Sequence, residues 1–95
     1  MNNDNYKKQL HLRIDEVLHY VWDPIGISDT PPAKDEYSTY AASVWRDVLE
    51  GKSKAEIAAY LTNVATDRMG LEPSKDHDEE VAELIMKWAE YLKDR

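Results

Sequence analysis

Two histidines and an aspartate have the residue types and the spacing of a metal site or an acid–base site. His11, Asp15 and His19 follow one another at four-residue steps, so each neighbouring pair would lie one turn apart on a helix. The two histidines would nevertheless be about 12 Å apart along the helix axis, too far to bind one ion without ligands from elsewhere. We therefore interpret these residues as a solvated polar flank. A metal site or an enzyme built on them, for example across a dimer, is the least favoured hypothesis.

A second candidate for metal or acid–base chemistry is the run DHDEE, residues 76–80. Successive residues on a helix point in different directions, so these side chains cannot converge on one ion. The run also lacks the alternating ligands and the central glycine of a calcium-binding loop. Acidic side chains in the first turn of a helix interact favourably with the helix dipole. The run therefore predicts the start of a helix and not a metal site.

The sequence contains no complete catalytic pattern. It has no Ser–His–Asp or nucleophile-elbow motif, no His-Glu-x-x-His motif and no glycine-rich phosphate loop. There is no cysteine, which excludes thiol catalysis, disulfides and thiolate metal sites. Acidic pairs such as Asp35 and Glu36 are neighbours in the chain and do not form a facing pair. We expect a protein without catalytic activity, bound metal or cofactor.

The charge of the chain limits the class of partner. Asp and Glu outnumber Lys and Arg by 19 to 12, which gives a net charge of −7. A surface of this sign repels nucleic-acid phosphates and anionic membranes and attracts a basic protein. No apolar run approaches the roughly 20 residues that cross a bilayer, and the N-terminus lacks the features of a secretory signal. We expect a cytoplasmic protein that binds a protein partner, most plausibly a basic one.

Apolar residues recur at three- and four-residue steps in four segments, which predicts an all-α, four-helix bundle-like fold in a single domain, residues 1–95. The helices are expected at residues 4–22, 35–50, 54–69 and 76–93. The second helix has the broadest apolar face and is expected to be central. Short links predict that helices two, three and four pack consecutively, whereas the packing order of helix one stays open. A long loop of about a dozen residues, 23–34, joins helices one and two.

Local signals predict where helices two and three begin and end. Asp35 is the expected N-cap of helix two, and Gly51 is the expected residue after its end. Ser53 and Glu56 have the spacing of a capping box at the start of helix three. Met69–Leu71 has the sequence of a Schellman-type stop at the end of helix three.

The stretches WDPIGI, residues 22–27, and DEYSTY, residues 35–40, admit two interpretations. In the structural one, Pro24 ends helix one, Asp23 begins a type I turn, and the apolar side chains pack into the core. In the functional one, aromatic rings beside carboxylates form a recognition surface for a basic partner. The residues of this predicted patch are Trp22, Asp23, Asp29, Asp35, Glu36, Tyr37 and Tyr40. We favour the structural interpretation.

These stretches also carry a resemblance to a known family. Asp23–Gly26, Asp35–Tyr37 with Tyr40, and Met69–Leu71 together resemble the pattern of a small helical bacterial family of unknown function. The resemblance covers most of the chain, from helix one to the end of helix three. It implies an all-helical cytoplasmic protein without an assigned catalytic residue. Some members of the family look like immunity-type proteins encoded near secreted toxins.

Two functional hypotheses follow, ahead of the enzyme or metal protein. The first is a small acidic protein-binding module without catalytic activity, such as an immunity-type antagonist of a basic protein. Its aromatic residues are six Tyr and three Trp with no Phe, and Tyr and Trp are enriched at interfaces. The alternative is a structural or assembly protein that acts as a homodimer. Leu12 and Met86, which lie opposite the main apolar stripes of their helices, are candidate contacts for such a dimer.

Overall fold

The computed structural model describes residues 3–22 and 31–93, and this part consists of helices joined by short non-helical links at 50–53 and 69–74, with no β-strand. The prediction of an all-α, four-helix fold is confirmed. The helices are α1 (Asn3–Val17), α2 (Pro31–Leu49), α3 (Lys54–Asn63) and α4 (Lys75–Lys93). Two π-helical turns, Leu18–Trp22 and Val64–Arg68, continue α1 and α3. Within the described ranges, no helix has both the length and the apolar character required to cross a membrane.

The π-helical turn after α1 decides which side chain enters the core at its end. The three- and four-residue steps of apolar residues from Leu10 through Ile14 and Val17 predict that Val21 faces the core, but Val21 is 46% exposed and Trp22 is buried. A π-helix bonds residues five apart instead of four, so Trp22 takes the position below Val17 that an α-helix would give to Val21. The prediction for Val21 is therefore wrong, and the indole of Trp22 occupies the core.

Helix α2 begins at Pro31, four residues before the predicted N-cap. Proline is well suited to the first turn of a helix, because its φ is preset and the N–H groups there have no intrahelical partner. The prediction of Asp35 as N-cap is therefore wrong, and Asp35 lies inside α2. The predicted turn at Asp23 falls in residues 23–30, outside the described residues.

Helix α2 ends in the predicted left-handed glycine. Gly51 has a φ of 88°, a conformation that glycine adopts without steric penalty. The N–H of Gly51 donates to the carbonyl of Val48 at 3.1 Å, and the N–H of Lys52 donates to the carbonyl of Asp47 at 3.0 Å. These two bonds form a Schellman motif.

The signals predicted for α3 are present at both of its ends. Ser53 and Glu56 form a reciprocal capping box at its start. Gly70, after the π-helical turn, has a φ of 68°. The N–H of Leu71 donates to the carbonyl of Ala65 at 2.9 Å, one residue further back than a Schellman motif requires. This hydrogen bond spans six residues instead of five because the last turn before Gly70 is π-helical.

Helix α1, and not α2, lies at the centre of the bundle. It packs against both α2 and α4, whereas α3 packs mainly against α4 and makes only a few contacts with α2. The predictions that helix two is central and packs along helix three are therefore wrong. A short link brings two helix ends together but does not force their faces into contact. The largest side chains fully buried in this core are Trp22, Tyr37, Leu10, Ile14, Leu18, Ile57, Leu61 and Ile85.

Candidate functional site

A buried carboxylate lies where the π-helical turn after α1 meets the start of α4. Asp78 is 2% exposed. Its Oδ1 accepts a hydrogen bond from Nε1 of Trp22 at 2.9 Å, and its Oδ2 accepts one from Oγ1 of Thr62 at 2.8 Å. Neither donor is a cation. Asp78 thus joins α4 to α3 and to the end of α1 through two neutral donors.

Sequence reasoning missed the role of Asp78. The acidic run does lie in the first turn of α4, as predicted, but Asp78 is not part of a solvated cluster. The signal was its spacing: Asp78 precedes Val81 by three residues and Ile85 by seven, which places it on the apolar face of the helix. An acidic residue in phase with an apolar stripe is a candidate for burial with a hydrogen-bond partner.

A cleft of about 500 Å³ adjoins this carboxylate. Beside it, Nε2 of His77 lies 3.2 Å from the carbonyl oxygen of Trp22. The residues that line the cleft are Trp22, Ala65, Leu71, Glu72, Ser74, His77 and Asp78. Polar groups of Trp22, His77 and Asp78 at this cleft therefore contact one another. They hold chain segments together and do not form a free acid–base pair.

The three aromatic members of the predicted recognition patch lie in the core. Trp22, Tyr37 and Tyr40 are all buried. The Trp22 ring centroid is 5.6 Å from that of Tyr37 and 6.3 Å from that of Tyr40. These rings pack against one another, as the structural interpretation of WDPIGI and DEYSTY predicts, and do not form an exposed aromatic surface.

The acidic members of that patch are placed differently. Glu36 is exposed, and its Oε1 accepts a hydrogen bond from the Tyr40 hydroxyl at 3.2 Å. Burial and then the nearby negative charge of Glu36 raise the pKa of Tyr40. Asp35 lies in the same turn of α2, whereas Asp23 and Asp29 fall outside the described residues.

The candidate metal ligands of α1 are not brought together. The His11 ring stacks on Trp45 with a centroid distance of 4.8 Å. His19 is buried, so the prediction of a solvated flank is wrong at this residue; its Nδ1 lies 2.8 Å from the carbonyl oxygen of Asp15. Oδ1 of Asp15 accepts a hydrogen bond from Oγ of Ser38 at 3.2 Å. Among the described residues, no three side chains of the ligating types are grouped to bind a metal.

The outward face of α4 carries a row of carboxylates, which we name the acidic stripe. Its members recur at steps of three, four and seven residues, so they lie along one side of the helix. They are exposed and consist of Asp76, Glu79, Glu80, Glu83 and Glu90. Lys87 is the only base within this row, and its Nζ lies 3.8 Å from Oε1 of Glu83. Because an exposed pair at this distance is weak, the stripe stays a negatively charged surface.

An apolar surface lies beside the acidic stripe on the same helix. Leu84, Trp88 and Tyr91, which we name the apolar edge, line a shallow depression of about 260 Å³ together with Lys87. Tyr91 is 52% exposed, and its ring meets Trp88 edge to face at 5.7 Å. From α1, the guanidinium of Arg13 lies 5.6 Å from the centroid of Trp88. The apolar periodicity of α4 predicts that Leu84 and Trp88 face the core together with Val81 and Ile85, so it does not mark this edge.

The candidate dimer contacts are placed in part as predicted. Leu12 is 48% exposed, which confirms that it lies opposite the main stripe of α1. Met86 is half-buried. It is less exposed than Leu12 and is therefore a weaker candidate for a dimer contact. Tyr20 and Val21, in the π-helical turn after α1, are further exposed apolar side chains.

Comparisons of the chain with protein-family models, with curated proteins and with solved structures each found no match. The resemblance to the small helical bacterial family therefore stays a prediction.

Proposed function

We propose that this chain is a small acidic protein-binding module of the cytoplasm that acts without catalysis by occupying a basic protein. The observation that carries the proposal is the acidic stripe of α4 with the apolar edge beside it. Opposite charges steer two proteins together, and exposed aromatic residues supply the buried anchors of an interface. An immunity-type antagonist would use such a surface to cover the basic site of a toxin.

The side chains that could act as a general acid or base contact other groups of the protein, which supports binding over catalysis. Asp78 accepts hydrogen bonds from the buried indole of Trp22 and from the partly buried hydroxyl of Thr62. His11 stacks on an indole, and His19 contacts the backbone of its own helix. A general acid or base must reach a substrate, whereas these groups contact the protein itself.

The proposal is tested by affinity capture from a bacterial lysate with three immobilised proteins. They are the wild type, Glu80→Lys/Glu83→Lys in the acidic stripe, and Asp35→Lys/Glu36→Lys in the patch predicted from the sequence. The two variants change the net charge equally, so each is the control for the other. We expect a basic protein to be retained by the wild type and by Asp35→Lys/Glu36→Lys but lost by Glu80→Lys/Glu83→Lys. Circular dichroism checks that all three are folded.

Two other results would change this conclusion. Loss of the retained protein only from Asp35→Lys/Glu36→Lys would move the interface to α2. Retention of the same proteins by all three, insensitive to salt, would contradict a charge-directed binding function, because such association weakens as salt screens the charges.

A homodimeric structural protein is the second candidate function. It is favoured by the exposure of Leu12 and of Val21 on α1 and its π-helical turn, since exposed apolar side chains are used in self-association. The net charge of −7 opposes it, because two copies repel each other. Sedimentation equilibrium over a range of concentrations distinguishes this candidate from a monomeric binding module.

A further inference from the structure

The apolar edge of α4 has the arrangement of a helix-binding surface. Leu84, Trp88 and Tyr91 are spaced i, i+4 and i+7, which is the pattern by which one helix contacts another. The edge is about two helical turns, or about 10 Å, long. Tyr91 is half exposed, and Leu84 and Trp88 are half-buried. A partner helix could therefore place two turns of apolar side chains along it.

The charges on the two borders of the apolar edge are unequal. One border is the acidic stripe, where Glu80 lies one turn before Leu84 and Glu83 directly precedes Leu84 in the chain. The other border is formed from α1 by Arg13, whose Nη2 lies 2.6 Å from Oε1 of Glu16. Glu16 offsets the charge of Arg13 on that border, whereas the five carboxylates of the acidic stripe have only Lys87 among them.

We propose that the apolar edge docks an amphipathic basic helix of the partner protein, an inference that rests on the proposed function. The apolar side chains of the partner cover Leu84, Trp88 and Tyr91, and its Lys or Arg side chains pair with Glu80 and Glu83. A second copy of this chain would fit less well, because its own edge is also bordered by carboxylates. The charge complementarity therefore selects a basic helix over self-association.

The test uses a defined peptide in place of the unidentified partner. The probe is a labelled synthetic helix of about 18 residues, five turns, with Leu along one face and Lys elsewhere. A second peptide has the same composition in a scrambled order without an apolar face. Fluorescence anisotropy measures the binding of each to the full chain at about 50 mM and about 300 mM salt. We expect the amphipathic peptide to bind about tenfold more tightly than the scrambled one.

Matched variants locate the binding surface. Tyr91→Ala, and Leu84→Ala/Tyr91→Ala as a second variant, should reduce affinity for the amphipathic peptide to that of the scrambled peptide. Tyr20→Ala removes a tyrosine outside the edge that is more exposed than Tyr91, 70% against 52%, and should leave affinity unchanged. Glu80→Gln/Glu83→Gln should weaken binding more than Glu50→Gln/Glu72→Gln, which removes the same charge from other exposed positions.

The outcomes separate this inference from the proposed function. Equal, salt-sensitive binding of both peptides, or unchanged binding by Tyr91→Ala, overturns the docking edge but leaves charge-directed binding intact. Binding of neither peptide at low salt overturns both proposals. Self-association of the wild type that Tyr91→Ala abolishes, measured by sedimentation, assigns the edge to a second copy and overturns the basic helix.

Discussion

At the scale of single residues, Asp78 connects more of the structure than any other polar side chain described above. Its two oxygens accept hydrogen bonds from Trp22 and Thr62, which belong to different helical segments. Hydrogen bonds to a charged group contribute about 1.5–3 kcal/mol each. Removal of either side of the contact leaves a buried polar group without its partner.

We predict that Asp78→Ala lowers the free energy of unfolding by about 2–4 kcal/mol, because the buried Trp22 indole and the partly buried Thr62 hydroxyl lose their acceptor. Trp22→Phe should cost about 1–3 kcal/mol, because it leaves Oδ1 without a donor. Urea unfolding followed by circular dichroism measures both. Glu79→Ala, at the exposed neighbouring position, is the control and should change stability by less than about 0.5 kcal/mol.

The double variant Trp22→Phe/Asp78→Ala tests whether the two side chains act together. Their effects should be non-additive by about 1 kcal/mol or more. Additive effects would mean that the hydrogen bond between them contributes little and that each residue acts through packing alone.

At the scale of helices, the ends determined by adjacent residues were predictable and those determined by distant contacts were not. The glycine at the end of α2 and the capping box of α3 depend on residues within a few positions of the chain. The start of α2 was misplaced because Pro31 and Asp35 are both good signals for a first turn. Only tertiary structure selects between them.

The π-helical turn after α1 shows the same limit at the candidate site. Trp22 is buried in place of Val21. The Trp22 indole donates a hydrogen bond to Asp78, which lies 56 residues further along the chain. Amphipathic periodicity assumes a constant number of residues per turn and therefore cannot anticipate a π-helical turn. The apolar edge was missed for a related reason, since the stripe of α4 is wider than the surface that α1 and α3 cover.

The capping box of α3 leads to a prediction about pH. The pKa of Glu56 lies below its ordinary value of 4.5, first because its carboxylate accepts a hydrogen bond from the backbone N–H of Ser53. A carboxyl with a lowered pKa in the folded state stabilises the fold above its unfolded pKa and loses that effect as the pH falls. The thermal midpoint of Glu56→Gln should therefore be below that of the wild type at pH 7, and the two should converge below pH 4.5.

The same capping box is tested at its serine. Ser53→Ala should cost about 1 kcal/mol of stability, and Ser53→Asp, which keeps a cap acceptor, should cost less. A difference between wild type and Glu56→Gln that persists unchanged at low pH would contradict the assigned cause of the lowered pKa.

At the scale of the whole molecule, charge and size define the expected solution state. The Cα radius of gyration is 12.8 Å, close to the value of about 12–13 Å for a compact domain of this length. The net charge of −7 opposes contact between two copies unless salt screens it.

We predict a monomer at micromolar concentration. Small-angle scattering should give a radius of gyration only slightly above 12.8 Å, because side chains and hydration add a thin layer. The measurement is repeated at about 1 M salt, where charges are screened within about 3 Å. A dimer at both salt concentrations would contradict the prediction and favour the structural role over the binding module.

The three indoles of the chain have three different neighbours. Trp22 donates to a buried carboxylate. Trp45 stacks on an imidazole and donates to the backbone of α1. Trp88 contacts a guanidinium and a phenol. Each indole is therefore an intrinsic fluorophore with its own quenching groups. Each also lies at a different contact between helical segments, which we call a junction. Variants that keep one tryptophan and replace the others with phenylalanine would report on each junction separately. Only the emission of Trp88 would be expected to respond to an occupant of the apolar edge while the bundle stays folded.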